Sequence, residues 1–237
     1  MPTVGQDRIV GRFRDRTEAG QLLAQKLSQY ANRKEVLVSA LPRGGVPVAF
    51  EVANALSTPL HIFVVRKLGV PGNEELAMGA IATGGVRVLN YDVIRAADIP
   101  DDVIDFVAAR EQVELQRREL AYRGNLPAPE ISGRIVILVD DGIATGSTMR
   151  AAIAAVRQQQ PVRIVVAIPT APPSSCDELR SEVEEVVSLM TPEPFYAVGQ
   201  WYEIFDQTSD EEVRDLFERA KRRLHCAETS RTTAITN

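Results

Sequence analysis

The sequence has 237 residues, 45% of them apolar and 25% charged, a globular composition long enough for one large domain or two small ones. A net charge of −5 and a pI near 5.3 argue against a strongly basic nucleic-acid or membrane-surface binder, and no apolar run approaches the roughly 20 residues of a membrane helix. Cys176 and Cys226 form no close-spaced pattern, and the N-terminus MPTVGQDRIVGRFRDR lacks an apolar leader core, which predicts reduced thiols and a cytoplasmic location.

In chain order, RTEAGQLLAQKLSQY (16–30) reads as a helix, with Asp15 as cap and Glu18 completing a capping box. EVLVSALP (35–42) reads as a strand, VPVAFEVANAL (46–56) as a helix and LHIFVVRKL (60–68) as a second strand. AMGAIATGGVRVLNYDVI (77–94) reads as a hairpin turning at Gly84 and Gly85, where two glycines permit positive φ. DDVIDFVAAREQVELQRRELAY (101–122) predicts a long charged helix with a thin apolar stripe of Val103, Phe106, Val107, Val113 and Leu120 and an otherwise solvated face. Strands follow at 134–140, 162–169 and 183–190, with helices at about 146–158 and 174–181 between them. A last helix is expected over about 209–225, and CAETSRTTAITN (226–237) reads as a loose polar tail. Apolar strands without alternation, separated by helices, predict an α/β domain: a parallel sheet with helices on both faces and a small C-terminal elaboration.

The chemistry concentrates in IVILVDDGIATGSTMR (135–150). Asp140 and Asp141 stand at the carboxyl end of a buried strand, where ligands bind in open parallel sheets. The helix that follows offers unpaired N–H groups and the positive end of its dipole to an anion. Gly146 lets the backbone approach closely, and Thr145, Ser147 and Thr148 add hydroxyls. Two carboxylates repel a phosphate but accept from sugar hydroxyls, so a ribose 5-phosphate spans the loop. A capped helix behind two solvated aspartates is the plainer reading. A Walker loop needs a lysine that GIATGST lacks, and G-x-G-x-x-G is absent.

VILVDDGIATGSTM closely resembles the ribose-phosphate signature of the type I phosphoribosyltransferases, which use phosphoribosyl pyrophosphate (PRPP). Segment order over about residues 15–205 is similar as well. The resemblance implies a Rossmann-like core over about 15–190, and a hood made of about 191–206 with helix 209–225. Asp140 and Asp141 would then hold the ribose 2′ and 3′ hydroxyls. Ile143, Ala144, Thr145, Gly146, Ser147 and Thr148 would bind the 5-phosphate. LPRGG (41–45) would be the pyrophosphate loop, with Arg43, Gly44 and Gly45 at the diphosphate and a non-proline cis peptide. VVRKLGVPGNEELAMG (64–79) would supply Arg66 and Lys67 to the pyrophosphate and a mobile loop that closes over PRPP. Taken singly, PRGG is also a tight turn and RK a solvated pair. Of the implied catalytic residues, Asp140 and Asp141 would orient the ribose and offset its developing positive charge, while Arg66 and Lys67 would neutralise the leaving pyrophosphate together with Arg43, backbone N–H groups and Mg²⁺. That ion would be held through PRPP, with Asp140 and Asp141 reached through water and no direct protein ligand.

Alanine at position 144 stands where the 6-oxopurine members carry an acid, so the loop is closest to the adenine and uracil branches. Glu74 and Glu75 are candidate general bases, as loop glutamates are in the adenine branch. PEPFYAVGQWYEIF (192–205) faintly resembles the segment that reads the base: Tyr196 would stack, the Ala197 backbone would read an edge, and Trp201 and Glu203 would complete the acceptor pocket. The implied partners are PRPP and a nitrogen acceptor, a nucleobase by resemblance, in a homodimer with no nucleic acid or membrane partner. The alternative is a PRPP-sensing regulator without transfer activity. The chain is also similar to a group of bacterial phosphoribosyltransferases whose acceptor the match does not supply.

Overall fold

Asp15 caps α1 (Arg16–Lys26) by accepting the Glu18 N–H at 2.8 Å, while Glu18 reaches back to the Arg14 N–H at 2.6 Å. In this computed structural model, which describes residues 11–235 and side chains through His225, a 3-10 turn (Ser28–Tyr30) finishes the segment expected to be one helix. The first ten residues, read above for a leader, the last two, and the Cys226 side chain lie outside the described part. β1 (Val36–Ala40) and α2 (Gly45–Leu56) follow as expected.

The run expected as one strand over 60–68 is two strands, β2 (Leu60–Ile62) and β3 (Val65–Val70), in different sheets. The Phe63 N–H still donates to the Ala40 carbonyl, at 2.9 Å. The Val64 N–H turns instead to Thr83 Oγ1, at 3.0 Å, so the chain changes sheets between adjacent residues. Unbroken apolarity conceals such a change, because both residues are buried on either side of it.

β4 (Asn73–Ala82) pairs antiparallel with β3, β5 (Val86–Leu89) pairs antiparallel with β4, and the expected turn has φ +90° at Gly84 and +74° at Gly85. Residues 91–94, expected to continue the hairpin, open α3 (Tyr91–Ala96) behind an Asn90 cap. Next come α4 (Asp101–Arg123), β6 (Ile135–Val139), α5 (Ser147–Gln158), β7 (Arg163–Thr170), α6 (Pro173–Arg180) and β8 (Glu185–Met190). α7 (Asp210–Ile235) runs ten residues past the expected end at 225, into the segment read as a tail.

The main sheet is parallel, in the order β2-β1-β6-β7-β8. Alternate residues of β6 serve opposite faces: Ile135, Ile137 and Val139 join one core with α1, α2, α4 and α7, and Val136 and Leu138 join the other with α5 and α6. On α4 the expected stripe is corrected. Ile104, Val107, Ala108, Leu115 and Tyr122 are buried, while Phe106, Val113 and Leu120 face solvent. A sparse apolar pattern on a charged helix is compatible with either face, and packing selects the one with Tyr122 and Leu115. Among the described residues no helix is long and apolar enough to cross a membrane.

Candidate active site

β1 and β6 are neighbours at the centre of the sheet, but the chain leaves β1 toward β2 and β6 toward β7, on opposite sides. Such a reversal opens a crevice beyond the carboxyl ends of the two strands. The loops that line it are LPRGG (41–45) and DDGIATG (140–146). Glycines let them touch: a Cβ at Gly44 would stand 2.0 Å from Asp141 Oδ2, and one at Gly45 would stand 2.7 Å from the Val139 carbonyl oxygen. The Pro42–Arg43 peptide is cis.

A concavity of about 130 Å³ is lined by Asp140 and by residues 142–149. Gly146, at φ +72°, turns the chain into α5, and no side chain caps that helix. Its first N–H groups therefore point into the concavity's loop without a protein carboxylate or hydroxyl to satisfy them, a ready anion seat. The loop is braced from behind. Arg150 donates to the Thr145 carbonyl at 2.8 Å and pairs with Glu178 at 2.7 Å, and the Ser175 hydroxyl donates to the Ala144 carbonyl at 2.8 Å. Ile143 buries its side chain in the core and offers the loop only its backbone.

The two aspartates are not equivalent. Asp140 lines the concavity and accepts the Asp141 N–H at 2.9 Å. Burial, with the Asp141 charge beside it, pushes the Asp140 carboxyl well above the usual carboxylate range. Asp141 Oδ2 accepts both Nε and Nη2 of Arg16, at 2.9 and 2.8 Å. Burial pushes Asp141 upward too, with Arg16 opposing it. Arg16 is fixed in turn by the Asp206 carbonyl at 2.7 Å and by the Phe205 ring 4.0 Å below its guanidinium. The Tyr202 hydroxyl donates to the Asp141 carbonyl at 2.6 Å.

Of the cations, Lys67 Nζ lies 3.5 Å from Ser147 Oγ at the start of α5. Arg66 points the other way and clasps Glu111 Oε2 of α4 through Nε and Nη2, at 2.9 and 2.6 Å. Successive residues of a strand face opposite sides, so β3 presents only one of the pair to the crevice. Arg43 Nη1 lies 3.5 Å from Asp210 Oδ1, an oxygen that also accepts the Tyr122 hydroxyl. Glu74 and Glu75 sit on β4, exposed, in a hairpin where the resemblance implies a mobile loop. As adjacent strand residues, they too face opposite sides.

The segment expected as the hood folds over this end of the sheet together with residues 13–16. The Phe13 N–H donates to the Trp201 carbonyl and the Glu203 N–H to the Phe13 carbonyl, both at 2.8 Å. Val198 lies over Gly142, where a Cβ would come within 2.5 Å of its Cγ1. Tyr196 is 79% exposed, Ala197 has extended backbone, Trp201 stacks on Phe195 with centroids 6.2 Å apart, and the Glu203 side chain is exposed.

Arg16, Glu111, Arg150, Ser175 and the buried role of Tyr202 escaped the sequence reading. A signal existed for Arg16 alone: a cation in the first turn of a helix opposes the dipole and needs another partner.

A model of the phosphoribosyl transferase domain matches residues 15–200. A Mycobacterium tuberculosis protein provisionally named a phosphoribosyl transferase is 48% identical over 210 residues, which cover 89% of this chain and 47% of that protein. The chain thus spans about half the length of that relative. The crystal structure of TT1426 from Thermus thermophilus superposes with a TM-score of 0.79 at 44% identity, covering 87% of this chain and 97% of that one. The bifunctional protein PyrR of Deinococcus deserti is 29% identical over 133 residues, 54% of this chain and 71% of that protein.

Proposed function

The chain belongs to the phosphoribosyl transferase domain family, and from that premise we propose that it moves ribose 5-phosphate from PRPP to a nitrogen acceptor and releases pyrophosphate. The observation that carries this reading is the uncapped start of α5 beside Asp140, across the crevice from Gly44 and Gly45. The phosphate sits on the α5 N–H groups and the hydroxyls of Thr145, Ser147 and Thr148, and the ribose diol donates to Asp140. Asp141, fixed by Arg16, holds the loop and reaches the sugar only if that pair loosens.

In the transfer, the bond from C1′ to the diphosphate oxygen breaks and its electron pair leaves with pyrophosphate. The acceptor nitrogen supplies the pair for the new C1′–N bond and gives up a proton. The positive charge that develops on the ribose ring is offset by Asp140, whose burial weakens screening by water. The leaving diphosphate is met by Arg43, by Lys67 and by the close-approaching backbone at Gly44 and Gly45. Arg66 contributes once it exchanges Glu111 for the substrate.

Among the described residues no three histidine, cysteine or acidic side chains gather as a metal site. Of the two adjacent crevice aspartates, Asp140 is the one that Arg16 does not clasp, and a single carboxylate beside substrate oxygens suits Mg²⁺, which keeps several waters. Bound there, the ion supplies charge neutralisation at the diphosphate. The acceptor, a nucleobase in this reading, lies under the hood between Tyr196 and the Ala197 backbone, with Trp201 and Glu203 at its edge. Either Glu74 or Glu75 takes the proton as the β3–β4 hairpin closes.

A PRPP-binding regulator is the second reading, favoured by the engagement of Asp141 with Arg16, which leaves Asp140 alone for the diol. Pyrophosphate release from PRPP and Mg²⁺, measured across purines, pyrimidines and related heterocycles, separates the two. Release that depends on one acceptor and saturates in PRPP is expected. Binding of PRPP without release from any acceptor replaces the transferase with the regulator.

A further inference from the structure

Arg43 and Arg66, the two arginines of the proposed diphosphate site, each have a carboxylate behind them. The two carboxylates act differently. Glu111 takes Arg66 by two nitrogens, at 2.9 and 2.6 Å, and neutralises it. Asp210 meets Arg43 through Nη1 alone, at 3.5 Å, too long for a strong hydrogen bond. Such a contact limits where the guanidinium points and leaves most of its donors for another anion.

Asp210 is itself held. It is the first residue of α7, where the positive end of the helix dipole favours a carboxylate. Ser209 just before it accepts the Glu212 N–H at 3.1 Å and so caps the helix. The Tyr122 hydroxyl donates to Asp210 Oδ1, the oxygen nearest Arg43, at 3.0 Å. Tyr122 is 1% exposed, and its ring packs in the core that α4 shares with α2 and α7, so the hydroxyl has little freedom to move. Burial first, and then Asp210, push its pKa up to about 12, so it remains a donor at neutral pH. Arg117 Nη1 stands 3.8 Å from the other oxygen, Oδ2, but that guanidinium is committed to Glu114, at 2.7 and 3.0 Å.

We propose that Asp210 and Tyr122 are positioning residues for Arg43: they set its guanidinium before the substrate arrives and so raise the affinity for the diphosphate half of PRPP. Neither touches the ligand. A long, flexible side chain otherwise loses its freedom on binding, a cost that a prior hold removes. The inference rests on the PRPP reading of the crevice, with Arg43 at the diphosphate, but not on the acceptor or on transfer, because a PRPP-binding regulator gains from the same hold.

Removing the Asp210 charge would also relieve repulsion of a polyanion, an effect of opposite sign. The decisive substitution is therefore Tyr122→Phe, which changes no charge and leaves Asp210 to water, so the circular dichroism of the variant is expected to match wild type. Calorimetric titration of the full chain with PRPP and Mg²⁺, and separately with ribose 5-phosphate, reads the effect. Tyr122→Phe is expected to weaken PRPP about threefold to tenfold, the ordering of one long side chain, and to leave ribose 5-phosphate, which has no diphosphate, unchanged. In an Arg43→Gln background, itself weaker for PRPP, the same substitution is expected to do nothing further. An unchanged or tighter PRPP affinity in Tyr122→Phe, equal weakening of both ligands, or the same loss with and without Arg43 overturns the inference and leaves the PRPP site standing. A wild-type chain that binds neither ligand overturns the site and the inference with it.

Discussion

Arg16 and Asp141, 125 residues apart in sequence, are joined by a two-pronged ion pair that ties the first residue of α1 to the loop after β6. Both side chains are largely withdrawn from water, at 13% and 14% exposure. Removing one partner leaves the other's charge without compensation. Arg16→Ala is expected to lower unfolding stability by about 1–3 kcal/mol, seen as a lower urea midpoint at unchanged slope. Adding Asp141→Asn is expected to restore much of that loss. Additive losses in the double variant would show that the pair is not the coupling.

Asp140→Asn is expected to have effects of opposite sign on stability and binding. The folded-state pKa of Asp140 is raised, by burial first and by Asp141 second, so ionisation at neutral pH costs the fold more than it costs the unfolded chain. That cost fades as pH falls through the raised value and is gone below the ordinary aspartate range. The asparagine variant, which keeps Oδ1 as acceptor for the Asp141 N–H, should melt higher at neutral pH, by about 2–4 °C for each 1 kcal/mol in a chain of this size. The gain should disappear on acidification, and PRPP with Mg²⁺ should no longer raise the melting temperature. A lower melting point at pH 7 would contradict the raised pKa.

Lys67 and Arg66 should separate cleanly. Lys67→Ala, with its amine at the α5 start, is expected to raise the PRPP KM about tenfold or more, the loss of one charged contact, with little change in melting temperature. Arg66→Ala leaves Glu111, 11% exposed, without its partner and should cost stability first. Equal kinetic defects in both variants, with no stability difference, would place both cations on the ligand.

His61 makes a pH prediction away from the crevice. It is 3% exposed, neither ring nitrogen has a hydrogen-bond partner, and its pKa is pushed down to about 3, by burial first and then by the Arg123 charge. Above about pH 6.5 the ring is neutral whether folded or unfolded, and pH has no leverage through it. Below that value only the unfolded chain takes up the proton, so stability falls as the pH drops, by about 1.4 kcal/mol per unit until the folded value is reached. Chemical denaturation between about pH 7 and pH 4 should show this slope in wild type and a flatter one in His61→Leu. Parallel slopes would mean that the ring is solvated.

Most of the main sheet was legible because each of its strands is a short apolar run between turn residues, and the Gly84–Gly85 turn because only glycines take two positive φ values cheaply. The 60–68 run misled because periodicity cannot register a chain that leaves one buried sheet for another. The phosphate loop was legible residue by residue, since its chemistry lies within nine consecutive positions, 140–148. The clasp on Asp141 was not, because Arg16, Tyr202 and Phe205 reach it from both ends of the chain. Side-chain direction was the other loss: Arg66 and Lys67 look alike as letters, and strand geometry divides them. The α4 stripe failed for a related reason, as two apolar faces share one helix and composition does not say which the core takes.

The central claim is that a ribose 5-phosphate rests with its anion on the start of α5 and its diol at Asp140. A calorimetric titration of PRPP with Mg²⁺ into the full chain tests it most directly, repeated with ribose 5-phosphate as competitor and with Asp140→Asn. One saturable site per chain, displaced by ribose 5-phosphate and weakened about a hundredfold or more in the variant, is the predicted result. Absence of binding at millimolar PRPP, or equal affinity in wild type and Asp140→Asn, contradicts it.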